Sequence, residues 1–328
     1  MQHRIWSAAC FAALYPGLSP AVFEAAGGIA AFVRRGTIPS LDLVGAVELA
    51  EPIEPLTANE AAAAQLAKTI LAQRLPVRLG QAPVGTPFAQ AFLTLGRASG
   101  VIQTRPTEGS PYLELAPVWQ DALSQMSSRR RSDFRRMRRR AEEAGEVAFQ
   151  FHAPRPEQAG DLLEQAIAVE ARGWKSRSGS AIADNPAQEA FFRAYAPLAA
   201  AAGILRINLM TIGGEVAAMQ LAVESDGRYW LLKIGYDESF ARSSPGQLLM
   251  LESIQRAARA GLESYEFLGK AAAWTQFWTT AERPRAAIYY YPRSILGLTA
   301  LARDGAAFAL RKIRARLTTP IASGGEQA

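Results

Sequence analysis

Hydrophobic and polar residues alternate most clearly between Glu146 and Tyr291. Strands are predicted at 147–152, 204–212, 215–225, 228–236, 263–268 and 286–291, with helices at 156–175, 186–202, 245–260 and near 273–279. In the first of these helices Leu162, Leu163, Ala166, Ile167 and Glu170 fall at helical spacing. Gly213-Gly214 and Asp226-Gly227 are residues suited to two-residue hairpin turns, so 204–236 reads as a three-stranded meander. The first 128 residues are rich in Ala, Pro and Leu and show weaker periodicity. Helices are expected there near 6–14, 20–34 and 58–74, and strands near 41–49, 76–81 and 99–104. Prolines 52, 55, 76, 83, 87, 106, 111 and 117 cut this part into short elements.

The meander feeds a polar loop, SFARSSPG, and then the helix QLLMLESIQRAARAG. Ser244 is placed to cap that helix, Pro245 suits its first position, and Gly246 lets a ligand approach the backbone. A helix entrance leaves backbone N–H groups without intrahelical partners and gathers positive dipole, which suits a phosphate. Neither GxxxxGK[ST] nor GxGxxG occurs in the chain.

Composition narrows the chemistry. The 328 residues, 49% hydrophobic, suffice for two domains. Cys10 is the only cysteine, so a disulfide framework is excluded and a reducing compartment is expected. His3 and His152 are the only histidines, which argues against His/Cys metal sites. They also leave His152, at the end of a strand, as the sole internal histidine for a Ser-His or Cys-His nucleophile. A covalent acyl-enzyme is therefore not expected. No segment approaches the ~20 apolar residues of a membrane span, and the start reads as a first helix rather than a cleaved leader. The expected location is the cytoplasm, with room for a peripheral place on the inner membrane.

The net charge of +6 is concentrated. Eight arginines and one aspartate between Arg129 and Arg140 give +7, leaving −1 for the remainder. On that predicted helix Phe134, Met137 and Ala141 form a narrow apolar stripe. It reads as a solvated helix bridging two halves, as a contact for anionic lipid or acidic polysaccharide, or, least favoured, as a nucleic-acid contact, since no interleaved aromatics accompany it. The tail at 294–317 places Ile295, Leu298, Ala302, Ala306, Ala309, Ile313 and Leu317 on one side and Arg311, Lys312, Arg314 and Arg316 near its end. That pattern suits an interfacial helix and equally a helix packed on its own domain with a basic C-terminal end.

The predicted order β-α-α-β-β-β-α-β-α-β is that of the GNAT acyltransferase fold. Four words, SSRRRSDFRRMRRRAEEAG, EARGWKSRSGSAI, KIGYDESFARSSPGQLL and WTQFWT, in this order resemble the CelD-like and FemAB-like acyltransferases, which carry two GNAT-type halves. The resemblance covers about 105–292 well and the first hundred residues loosely; bacterial ceramide synthases are among the relatives. It implies an α/β (α+β) GNAT fold in tandem arrangement. The expected division is a divergent half at 1–128, a catalytic half at 129–293 and a basic tail at 294–328.

The resemblance also implies acyl-CoA as co-substrate, with no permanent cofactor, and an amine as acceptor. Lys233, Ile234 and Gly235 would lie along strand 4 beside the thioester, and Ala241, Arg242, Ser243, Ser244, Gly246 and Gln247 around the pyrophosphate. Direct transfer gains ~7–11 kcal/mol from holding both reactants in attack geometry. It must still remove a proton from an amine of pKa near ~10, which costs about 4 kcal/mol at pH 7. Asp237, which is equally a turn residue, and Glu170, which is equally a solvated helix position, are the candidate bases. Tyr236 is a candidate proton donor to the leaving thiolate, and Trp174, Lys175 and Trp274 are candidates for the acceptor pocket. Relatives often carry a Tyr-Lys pair where this chain has Trp274-Thr275, so a lysine role there is not carried over. A long-chain lipid amine such as a sphingoid base is the favoured acceptor. An amino sugar, an aminoacyl transfer or a non-catalytic adaptor are the alternatives.

Overall fold

The computed structural model describes residues 3–173 and 182–318. The first part holds α1 (His3–Leu14), β1 (Pro20–Ala25), β2 (Gly28–Arg35), β3 (Ser40–Leu43) and β4 (Leu56–Thr57). It continues with α2 (Glu60–Leu71), β5 (Val77–Pro83), α3 (Pro87–Ser99) and β6 (Gly100–Glu114). Next come α4 (Ser128–Ala144), β7 (Val147–His152), α5 (Pro156–Ala171), α6 (Pro186–Ala201), β8 (Leu205–Ile212), β9 (Glu215–Ser225) and β10 (Arg228–Tyr236). The chain ends with α7 (Pro245–Arg259), β11 (Ser264–Glu266), α8 (Ala273–Gln276), β12 (Glu282–Pro292) and α9 (Ile295–Thr318).

All strands join one mixed sheet in the order β1-β2-β3-β5-β12-β6-β11-β10-β9-β8-β7, with β4 beside β2. The late strand β12 thus lies between β5 and β6 of the first half. Strand β6 links the halves: most of it pairs with β12, and Tyr112–Glu114 pair with β11.

The meander forms as its turn residues require, with Gly213, Gly214, Asp226 and Gly227 all at positive φ. The stretch at 20–34 is not the expected helix but the hairpin β1–β2, closed by Ala26-Gly27 at φ 44° and 84°. Alanines favour helices locally and mark no face, so the burial of β2 in the sheet decides the outcome. The strand expected at 41–49 ends at Leu43, and Gly45 turns the chain at φ 75°. Strand β6 runs ten residues past the expected end at 104, through Pro106 and Pro111, with a register shift between Arg283 and Arg285 on its partner.

Two cores result. One face of β8–β10 packs on α5 and α6, and α1 docks there too, with Trp6 edge-on to Phe191 at 4.7 Å and to Tyr195 at 5.3 Å. The opposite face is covered by α7 and by α4 through Phe134 and Ala141. Three of the eight arginines of α4 are paired within the helix, as Arg136–Asp133, Arg138–Glu142 and Arg139–Glu143. These are exposed pairs and hold little stability.

Helix α9 packs on the sheet through Ala300 and through Asp304, which accepts hydrogen bonds from Arg78 and Tyr291. Its apolar stripe faces outward: Ile295 is 83% exposed and Leu298 60%. Among the described residues no helix is long and apolar enough to cross a membrane.

Candidate active site

Strands β10 and β11 run parallel but pair only through Arg228–Trp230 and Ser264–Glu266. Beyond that point β10 continues to Tyr236 along β9, while the β11 ladder has ended. A cleft of about 410 Å³ opens where the two strands part, lined by the candidate base Glu170, by Gly173, and by Ile234, Gly235, Tyr236, Ala241, Ser244, Gly246, Gln247 and Trp274. Its floor is Met219, Gln220 and Met250.

A bulge sets which side chains enter this cleft. The register against β9 shifts between Leu231 and Lys233, leaving Leu232 as the extra residue. Lys233 thereby shares the face of Trp230, and its Nζ donates to Gln188 Oε1 at 2.9 Å, beside the Phe192 ring. Lys233 is therefore on the α6 side, not among the cleft residues. Gly235 is where α5 comes nearest: a Cβ there would lie 2.9 Å from both Cα and Cβ of Glu170.

The helix entrance differs from the expected cap. Ser244 adopts the left-handed conformation (φ 49°, ψ 54°) and its side chain makes no capping bond; its carbonyl accepts from Gln247 and Leu248 instead. Pro245 takes the first helical position as expected. Among the described residues, Gly246, next in the first turn, has only the Tyr236 ring near its missing Cβ, at 3.7 Å, and Gln247 Oε1 is buried without a hydrogen-bond partner. An open backbone and an orphaned polar atom at a positive helix end fit a polar, anionic ligand. Ser243 is turned inward, its hydroxyl donating to the Phe240 carbonyl, and Arg242 is exposed outside the cleft. Arg140 of α4 donates to the Arg242 carbonyl at 3.3 Å, so the arginine helix delivers a guanidinium to this loop. Sequence reading missed that contact because 102 residues separate the partners.

The two candidate bases are held by structural partners. Glu170 is 1% exposed, and its Oε2 accepts from the Ile182 N–H at 2.8 Å. Asp237 Oδ1 accepts from the backbone and hydroxyl of Ser239, and its Oδ2 meets Arg172 Nε at 2.5 Å. Burial pushes the Asp237 carboxyl up, but the Ser239 hydrogen bonds and the Arg172 guanidinium together hold it below the usual value. It caps the turn at Glu238–Ser243 and orders the loop.

Because its folded value lies below the unfolded ~3.9, this carboxylate contributes stability above about pH 4, lost as pH falls through the depressed value. Asp237→Asn should lower the urea midpoint at pH 7, and the gap to the wild-type protein should close towards pH 2. A gap that does not change with pH would reject this account.

Tyr236 lines the cleft with its ring beside Gly246. Trp274 also reaches it, edge-on to Phe267, whereas Trp278 is buried against Phe134 and Phe277. Trp174 and Lys175 lie outside the described residues. Beneath the floor, Gln220 accepts from Asn208, which also donates to the Tyr229 hydroxyl. This buried polar network carries no sequence motif; only the pairing of β8, β9 and β10 assembles it.

Residues 128–276 match the family model described as an acetyltransferase (GNAT) domain. No curated protein is similar enough in sequence to match. Among solved structures, the C-terminal domain of a protein assigned as a lysylphosphatidylglycerol synthetase from Agrobacterium fabrum has a TM-score of 0.57 at 12% identity, covering 87% of this chain and 86% of that one. A conserved protein of unknown function from Bacteroides thetaiotaomicron gives 0.57 at 8% identity, over 87% and 90% of the two chains. FemX gives 0.56 at 10% identity, over 86% and 90%. At such identities the likeness is one of fold.

Proposed function

We propose, on the premise that this chain has the FemAB-like GNAT fold with its acetyltransferase domain at 128–276, that it is an acyl-CoA-dependent N-acyltransferase working by direct transfer. The observation that carries this reading is the parting of β10 from β11 directly above the helix entrance at Ser244–Gln247. The pantetheine arm lies in the cleft against β10, and the thioester sits beside Ile234 and Gly235. Ala241, Ser244, Gly246 and Gln247 hold the pyrophosphate, with Arg242 and Arg140 close enough to add charge-assisted bonds. A backbone N–H of β10 at the gap stabilises the developing oxyanion. Tyr236, beside the gap, donates a proton to the departing thiolate. Glu170, which lines the cleft, and Asp237, which orders the loop, are the candidate acceptors of the amine's proton.

A lipid amine is the favoured acceptor, supported by the outward stripe of α9, where Ile295 and Leu298 are exposed. Lysines and arginines near an anionic bilayer contribute about 1 kcal/mol each, screened as the Debye length falls from ~10 Å at 0.1 M salt to ~3 Å at 1 M.

Native mass spectrometry with CoA thioesters of increasing acyl length tests the donor, and binding of none of them would reject acyl-CoA. Liposome flotation tests the surface. The protein should float with anionic vesicles at low salt and less so at high salt. Failure to float under either condition, with efficient acylation of glucosamine, would replace the lipid amine by an amino sugar.

A further inference from the structure

The arginine helix α4 is fastened to both walls of the cleft. Arg130 donates to the carbonyl of Phe277 at 2.9 Å, with its Cζ 4.4 Å from the centre of that ring. Phe277 follows α8, whose Trp274 lines the cleft on the side after β11. Arg140 donates to the carbonyl of Arg242, in the loop whose Ala241 and Ser244 line the cleft on the side after β10. Ten residues of helix separate the two tethers, about 15 Å. Between them the buried Phe134 packs on Phe277 and Trp278, so α4 stands along the rim.

Burial of Phe134 and Ala141 fixes which arginines turn outward. Arg129, Arg136 and Arg140 recur at seven and four residues and share one side of the helix, the side of the Arg242 tether. All three are exposed. The helix holds eight arginines against three acids. Its three ion pairs leave Arg129, Arg130, Arg131, Arg135 and Arg140 without a carboxylate among the described residues.

This charge exceeds what a phosphate at the loop can meet. Arg129 lies about 16 Å along the axis from Arg140, so an anion held at one end leaves the other bare. A row of cations of this length fits a row of carboxylates at the same rise, as on the face of an acidic helix. Position at the rim narrows the partner further, because a body docked there is the one whose arm enters the cleft. An anionic bilayer has no such arm. Nucleic acid would find no exposed aromatic on α4 for its bases, since Phe134 is the helix's one aromatic and is buried.

We infer that α4 receives an acidic carrier protein bearing a phosphopantetheine arm, so that the enzyme draws acyl groups from a carrier thioester as well as from CoA; this rests on the pantetheine cleft proposed above. The arm's phosphate reaches the loop at 244–247 while carboxylates of the carrier lie along Arg129, Arg136 and Arg140. In the transfer the neutral amine nitrogen bonds to the thioester carbon and the C–S bond breaks. The nitrogen gives up one proton, the sulfur takes one, and the carrier leaves with a free thiol.

The test compares decanoyl-loaded acyl carrier protein with decanoyl-CoA as donors to n-octylamine, benzylamine and glucosamine, using the full chain. Arg129→Glu combined with Arg136→Glu should lower kcat/KM for the carrier at least about tenfold and change that for decanoyl-CoA less than about twofold. Both positions are exposed, and a glutamate at 129 suits the first turn of a helix, so the variant should fold. Arg135→Glu, on another side of α4, is the control for net charge and should change the carrier reaction less than about threefold. Raising the salt should depress the carrier reaction more than the CoA reaction. Calorimetry with the unloaded carrier, its arm ending in a thiol, reads docking apart from chemistry: the wild-type protein should bind it and the double variant should not.

Equal use of the carrier by the wild-type protein and the double variant overturns the inference, as does transfer from decanoyl-CoA with none from the carrier. If neither thioester is used, the acyltransferase reading fails and the calorimetry still decides. Carrier binding that the double variant loses keeps the docking surface, and no binding removes it. A double variant that loses flotation with anionic vesicles but keeps the carrier reaction would make α4 a lipid contact instead.

Discussion

Gly246→Val should weaken binding of CoA thioesters at least tenfold, about 1.4 kcal/mol, without unfolding the protein. The new Cβ would meet only the Tyr236 ring, at 3.7 Å, an ordinary contact. Valine is also a better helix former than glycine, so the first turn of α7 loses nothing. What changes is the cleft: branched methyl groups would stand where the backbone now offers an open approach beside Ser244 and Gln247. Calorimetric titration of acetyl-CoA into both proteins, with a thermal melt of each, is the measurement. Unchanged affinity in a folded variant would remove the pyrophosphate from this loop.

Gly235→Val should have the opposite signature, a loss of stability. Valine is at home in a strand, so local preference favours the change. Packing opposes it, because a Cβ would lie 2.9 Å from the Glu170 backbone Cα and 3.1 Å from its Cγ. A backbone atom cannot rotate away, so α5 must shift as a unit, carrying the Glu170 carboxylate off the Ile182 N–H. Overpacking of this kind costs about 1–3 kcal/mol, readable as a lowered urea midpoint with an unchanged slope. A variant as stable as the wild-type protein would show that α5 does not rest on this glycine.

The contrast between these two glycines explains what was readable in the chain. The second half is legible because its signals are local: alternation in β8–β10, Gly-Gly and Asp-Gly turns, and Pro245 opening α7. The family resemblance, not these local signals, sets Ile234, Gly235, Ser244, Gly246 and Gln247 beside thioester and pyrophosphate, and the structure gathers them with Tyr236 at one cleft. The reading fails where distant residues decide. The Ala-rich stretch at 20–34 carries helix propensity but becomes a hairpin, since the sheet buries β2. The bulge at Leu232 turns Lys233 towards Gln188, and no motif announces a bulge. The partners of Glu170 and Asp237, the Ile182 N–H and the Arg172 guanidinium, are set by the fold and carry no local signal. Arg140 comes to the loop from a helix 102 residues earlier.

The insertion of β12 between β5 and β6 also bears on how the protein is made. A ribosome releases residues in order, yet the partner that β5 and β6 share is not complete until Pro292 has emerged. For most of translation both strands present open hydrogen-bonding edges, the kind of surface that pairs with other chains. The first half can finish its sheet only after the second half has been synthesised, so closure of the two is a late, joint event. A nascent chain stalled before Glu282 would be a natural client for chaperones that cover exposed strand edges.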